Sequence, residues 1–154
     1  MKTPPPPTQP CARHYHDHPH QPAPVATVEL DYTDRFMRRK VLQLGDGQSV
    51  LVDLEVTTSL NQGGVLVLEN GDEIAVVAAP EPLLEITAPD LVRVAWHIGN
   101  RHTPCQIEAG RLLIQVDHVM RDMLDKIGAT TREISEPFTP EGGAYGHGRT
   151  HSHA

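Results

Sequence analysis

Between residues 25 and 79, apolar and polar positions alternate in short runs, the period-2 pattern of half-buried strands. Lys40-Val-Leu-Gln-Leu44 and Ser49-Val-Leu-Val-Asp-Leu54 flank Gly45-Asp46-Gly47-Gln48, which predicts a hairpin. Val65-Leu-Val-Leu68 and Glu73-Ile-Ala-Val-Val77 flank Glu69-Asn70-Gly71-Asp72, whose Asn-Gly pair predicts a second one. No long stretch of 3.6 period interrupts these runs. A small all-β domain is expected over residues 25–79.

The period changes after residue 80. Pro80-Glu81-Pro82 reads as a stiff joint, and Leu83-Leu-Glu-Ile86 as a short strand. Leu91, Val94, Ala95 and Ile98 recur at helical spacing. Thr87 and Asp90 supply a start signal with Pro89 in the first turn, and Gly99 sits where a helix terminator belongs. Cys105-Gln-Ile-Glu108 and Arg111-Leu-Leu-Ile-Gln-Val116 predict a hairpin around Ala109-Gly110. Asp117 is placed to cap a second helix striped by Met120, Met123, Leu124 and Ile127 and followed by Gly128. Thr130 to Glu136 resumes β character. The resulting βαββαβ order is the ferredoxin-like arrangement, expected over residues 80–140. The fold class is therefore α+β: an all-β domain, then a ferredoxin-like one. On this reading Trp96, Cys105, Met120 and Met123 are packing residues and His97 is structural.

The two ends differ from the middle. Residues 1–24 hold eight of the 14 prolines and almost no large apolar side chain, the composition of a disordered, partly polyproline-II arm. Residues 141–154 hold four glycines and three histidines, which reads as a flexible tail.

The net charge of −7, from 13 Lys+Arg and 20 Asp+Glu, argues against nucleic acid and against an anionic membrane surface as partners. No apolar run reaches membrane-span length, and no secretory signal is visible, so a cytoplasmic location is expected. Cys11 and Cys105 form no Cys-x-x-Cys pair. Catalytic motifs are missing: there is no His-Glu-x-x-His, no Gly-x-Ser-x-Gly and no phosphate loop. An enzyme is not expected.

Histidine is the residue that stands out. Of ten, seven lie at the ends: His14, His16, His18 and His20, then His147, His151 and His153. Neutral imidazole binds Zn, Cu, Fe and Ni. In an extended chain i and i+2 point the same way, so the first four form one row and His151 with His153 a shorter one. Labile metal capture is the functional reading, and solvated polar tails the bland one. Cys11 stands near the first row as a possible accessory ligand. His102, in Gly99-Asn100-Arg101-His102, reads either as a cation near a helix C-terminus or as half of a site completed by a second copy across a two-fold axis. His118 reads as a surface helix histidine or a ligand.

Three stretches together resemble the UreE family of urease accessory proteins, which are nickel metallochaperones. They are Gly99-Asn100-Arg101-His102-Thr103-Pro104, then Asp117-His118-Val119-Met120-Arg121-Asp122-Met123-Leu124, then Pro137-Phe138-Thr139-Pro140-Glu141-Gly142-Gly143-Ala144-Tyr145 ahead of a histidine tail. The resemblance implies a β domain similar to peptide-binding domains of co-chaperones and a ferredoxin-like domain that dimerises. It implies a homodimer in which His102 of each subunit shares one Ni²⁺, with His147, His151 and His153 completing or feeding the site. Zn²⁺ and Cu²⁺ would compete. It also implies delivery of nickel to the urease apoprotein activation complex, with the GTPase UreG as immediate partner. Val116-Asp117-His118 lacks the His-x-His pair some members carry, which leaves His118 without its first partner. The N-terminal histidine arm is not a usual family feature and reads as an extra reservoir. A general histidine-rich metal buffer without a specific client is the competing reading.

Overall fold

Residues 9–142 are described by the computed structural model. The chain divides into two compact units, residues 1–77 and 78–154, and each has its own core.

The first unit is built of strands: β1 (Cys11–His16), β2 (Ala26–Leu30), β3 (Phe36–Gln43), β4 (Ser49–Ser59), β5 (Val65–Leu68) and β6 (Glu73–Ala78). They form one sheet of order β2-β6-β5-β1-β4-β3. Both expected hairpins are present: β3 pairs with β4 up to Gln43↔Ser49, and β5 pairs with β6 through Val65↔Ala75 to Val67↔Glu73. Gly71 of the Asn-Gly turn has φ 91°, a value that L side chains rarely adopt.

Strand β1 corrects the expectation of a disordered arm over 1–24. It lies inside the sheet, parallel to β4 and antiparallel to β5. Its apolar face has only two members: Ala12 is fully buried and Tyr15 packs on the core. A register shift between Ala12 and His14 inserts Arg13 as an extra residue. That bulge breaks the period-2 pattern, which is why the strand is invisible in the sequence. Arg13 is held outside by Glu69 at 3.0 Å and Asp53 at 3.5 Å. The Tyr15 hydroxyl accepts the Asn61 N–H at 2.8 Å, and burial pushes its phenol up to about 12.

In the second unit the order is β7 (Pro80–Thr87), α1 (Leu91–Asn100), β8 (Gln106–Ile107), β9 (Leu112–Gln115), α2 (His118–Lys126) and β10 (Thr130–Pro137). The sheet order is β10-β7-β9-β8, with every neighbour antiparallel. This is the βαββαβ succession expected from the hydrophobic periods. Leu84 and Ile86 of β7, Leu112 and Ile114 of β9, Val94 and Ile98 of α1, and Met120 and Leu124 of α2 share one buried cluster.

Three details differ from the sequence reading. Pro80 and Pro82 are not a joint but the start of β7, paired with Pro137 and Ser135 of β10. Strand β9 pairs only from Leu83 onward, so the missing proline N–H leaves no gap on that side. Helix α1 is capped by Asp90 alone, whose carboxylate accepts the Arg93 N–H at 3.1 Å, and Pro89 precedes the cap. Trp96 is no core residue: it is 63% exposed, with His97 edge-on against it.

Arg111 ties this sheet together on its polar side. Its guanidinium donates to Glu136 at 2.7 and 2.8 Å, to Glu85 at 3.0 Å and to Glu108 at 3.2 Å. Arg132 adds a second cation to Glu85 at 2.9 Å. The Arg111 hydrogen bonds hold both the Glu85 and the Glu136 carboxyl below the usual carboxylate range.

Two outcomes follow. A Cβ on Gly64 would run into the Tyr15 ring, so Gly64→Ala should destabilise the first unit by about 1–3 kcal/mol, read by denaturant unfolding. For the second unit, depressed carboxyl pKa values add stability above the ordinary carboxylate pKa that is lost as pH falls through the folded value. Arg111→Met should therefore lower the melting temperature more at pH 7 than at about pH 3; an equal loss at both pH values would contradict this assignment.

Candidate metal centre

The last turn of α1 determines where His102 stands. Gly99 was expected to end the helix, but α1 runs to Asn100 and is capped at Arg101. His102 N–H bonds the Gly99 carbonyl at 2.9 Å, and Thr103 N–H bonds the Ile98 carbonyl at 3.4 Å. These two bonds are the Schellman pattern, which requires a left-handed residue just past the helix. Here that residue is His102, with φ 57°, the only non-glycine with positive φ among the described residues. Helix α2 ends the same way, with Gly128 N–H to Asp125 and Ala129 N–H to Leu124, and there the left-handed position carries glycine, at φ 84°. One fold unit thus uses the same cap twice, once with the usual residue and once with an exposed imidazole. The strain of a Cβ there is of order 1 kcal/mol.

The turn is also pinned sideways. The Thr103 hydroxyl donates to the Met120 sulfur at 3.6 Å, which connects it to the buried face of α2. Asp117 caps α2 as expected by accepting the Met120 N–H at 3.0 Å. His118 then begins the helix. Its side chain is 90% exposed and stands 3.8 Å from Asp122, one turn on. The i, i+4 spacing of the two residues on the helix surface permits that approach.

On the outer side of α1, Val92 is 83% exposed, and with Asp90, Arg93, Trp96 and His97 it lines an open groove. Val92 and Trp96 are one turn apart, and this apolar stripe runs along α1 toward the turn that carries His102.

Cys105 packs against the core beside this turn, and burial, with Glu141 adding to it, pushes its thiol up to about 11. It is a packing thiol rather than a ready thiolate ligand. Cys11 is half-buried at the start of β1.

The N-terminal histidines do not form a single row. His14 and His16 belong to β1, whereas His18 and His20 lie in the bends that follow. The imidazoles that approach are His16 and His20, with ring centroids 4.4 Å apart and planes at 46°. The cause is Glu73, 2% exposed, whose carboxylate accepts the backbone N–H of His20 at 3.0 Å and of Gln21 at 2.8 Å. Nothing in the sequence signals that anchor, because Glu73 reads as an ordinary strand residue. His147, His151 and His153 lie outside the described residues. Among the described residues, no group of three or more His, Cys, Asp or Glu side chains is arranged to hold a metal ion. No helix among them is long and apolar enough to cross a membrane.

Two family models match the chain. Residues 11–79 match the N-terminal domain of the UreE urease accessory protein, and residues 81–154 match its C-terminal domain. The chain is 69% identical over 140 residues to the urease accessory protein UreE of Ruegeria sp. (strain TM1040), covering 91% of this chain and 80% of that one. It is 65% identical over 127 residues to that of Ruegeria pomeroyi, covering 82% and 85%. It is 54% identical over 126 residues to that of Cereibacter sphaeroides, covering 82% and 69%. With both domain models matched in chain order and identity of this extent, the chain belongs to the UreE family of urease accessory proteins.

Proposed function

We propose that the protein is a cytoplasmic, non-catalytic nickel metallochaperone that binds Ni²⁺ between two copies of the chain and hands it over for urease maturation. The observation that carries this reading is His102, an exposed imidazole held in a strained helix cap where glycine would be the cheaper residue. A metal donor carried on a helix end would account for keeping a side chain there.

One imidazole makes a weak site, and within one copy the described residues supply no further cluster. A two-fold axis passing near the cap would bring two His102 side chains together. The exposed Val92 and Trp96 give a second copy an apolar stripe to cover on the same helix. His147, His151 and His153 then serve as further ligands. A Gly-rich chain of ten residues reaches about 17 Å in general, which would raise their effective concentration around the shared ion. Each can leave singly, which gives the metal a stepwise exit toward the urease apoprotein activation complex and its GTPase UreG. His118, exposed beside Asp122, is a secondary ligand position. Zn²⁺ and Cu²⁺ compete at imidazole sites of this kind.

Calorimetry with Ni²⁺ tests the proposal through His102→Gly. Glycine suits the left-handed cap, so the variant should be more stable than the parent by about 0.5–1 kcal/mol. Its tight site, one per dimer, should weaken about 100-fold, or about 2.8 kcal/mol. If the tight site survives that change but disappears when residues 146–154 are removed, the protein is a general histidine-rich buffer instead.

A further inference from the structure

A second pair of imidazoles is organised on the first unit, which contributes no residue to the proposed interfacial site. Strand β1 fixes one end of the segment: His16 pairs with Val65 of β5, and the bulge at Arg13 sends Tyr15 into the core and His16 to the exposed side. The chain then bends through Asp17, whose carboxylate accepts the Asn61 side-chain amide at 3.2 Å. It returns at His20, where the buried Glu73 carboxylate receives two successive backbone N–H groups. Strand, amide and buried carboxylate together close a short loop, and the loop brings the His16 and His20 rings to a centroid separation of 4.4 Å.

We propose that His16 and His20 form a separate site for a late first-row divalent ion on the N-terminal unit. Two imidazole nitrogens bound at about 2.0 Å place their ring centroids about 3.1 Å from the ion. Ligands at a right angle then stand about 4.4 Å apart, and at a tetrahedral angle about 5.1 Å. The observed 4.4 Å puts both rings within reach of one shared ion, and an imidazole pair suits Cu²⁺, Ni²⁺ and Zn²⁺ alike. Both rings are exposed, and no third His, Cys, Asp or Glu joins them among the described residues. The other coordination positions therefore go to water or to an incoming ligand. Such a site loads and exchanges quickly, which suits capture rather than retention. The inference rests on the metal-carrier reading only for its natural ion; the geometry belongs to the first unit alone.

The test is NMR of the full-length protein with substoichiometric Cu²⁺, whose paramagnetism broadens nearby amide signals. Signals of His16, Asp17, His18, His20, Asn61 and Glu73 should broaden together, in the parent once one Cu²⁺ per dimer has filled the interfacial site and in His102→Gly from the first addition. His16→Gln, or independently His20→Gln, should abolish that broadening, while His18→Gln should leave it intact. Unchanged broadening in both His16→Gln and His20→Gln would overturn the site. So would an equal loss in His18→Gln, since that is the behaviour of an unorganised histidine row. Loss of the signal in His102→Gly would overturn its independence, whereas failure of the nickel experiment at His102 leaves this result standing.

Discussion

The arrangement of the second unit turns on how α1 ends. Ile98 is buried in the core between the helices and the sheet, and its carbonyl receives the Thr103 N–H across the cap. That hydrogen bond closes only if the residue before Thr103 is left-handed, and His102 fills that place. The imidazole is thus attached to a backbone that a buried side chain and a helix cap hold on one side and Met120 on the other. Its projection from the surface is a property of the fold and not of a loop. The contrast with Gly128 at the matching position of α2 is informative, because the two caps share their hydrogen bonds and differ in residue. Natural proteins keep strain of this kind at functional positions, where the side chain is worth more than the stability lost.

The sequence reveals the elements of this architecture well where side chains repeat. The stripe Leu91, Val94, Ala95, Ile98 and the cap Asp117 place both helices, and Asn70-Gly71 places a hairpin. What it hides has identifiable causes. Strand β1 is hidden because its apolar face is only Ala12 and Tyr15 and a bulge shifts the alternation between them. The end of α1 is misread because Gly99 satisfies a rule of composition, while the hydrogen bonds choose a residue three positions later. Trp96 is misread because large aromatics are usually packed, and a helix has two sides: Val94 and Ile98 face the core and Val92 and Trp96 do not. The candidate site is legible only in part. His102 can be picked out by its neighbours, but its strain cannot, and neither can the pairing of His16 with His20, which depends on a buried carboxylate more than fifty residues away in sequence.

Two kinds of histidine emerge, and they suit different tasks. His102 sits in a hydrogen-bonded helix cap and is single in each copy, so it needs symmetry to become a site. His16 and His20 are paired within one copy and open to solvent. On the proposed function the two would complement each other: an exposed pair would exchange its ion readily, and an interfacial site would hold it until another protein competes. The acidic surface, at −7 overall, favours the approach of divalent cations to either.

On the proposed function, the tight metal site exists only when two copies meet at the end of α1. The direct measurement is Ni²⁺ affinity in a variant made monomeric by Val92→Glu with Trp96→Glu, two exposed positions whose change leaves the core intact. Light scattering reports the oligomeric state and calorimetry the affinity. A folded monomer that has lost the tight site while keeping His102 is the predicted result. A folded monomer that binds Ni²⁺ as tightly as the parent would rule out a site shared between two copies.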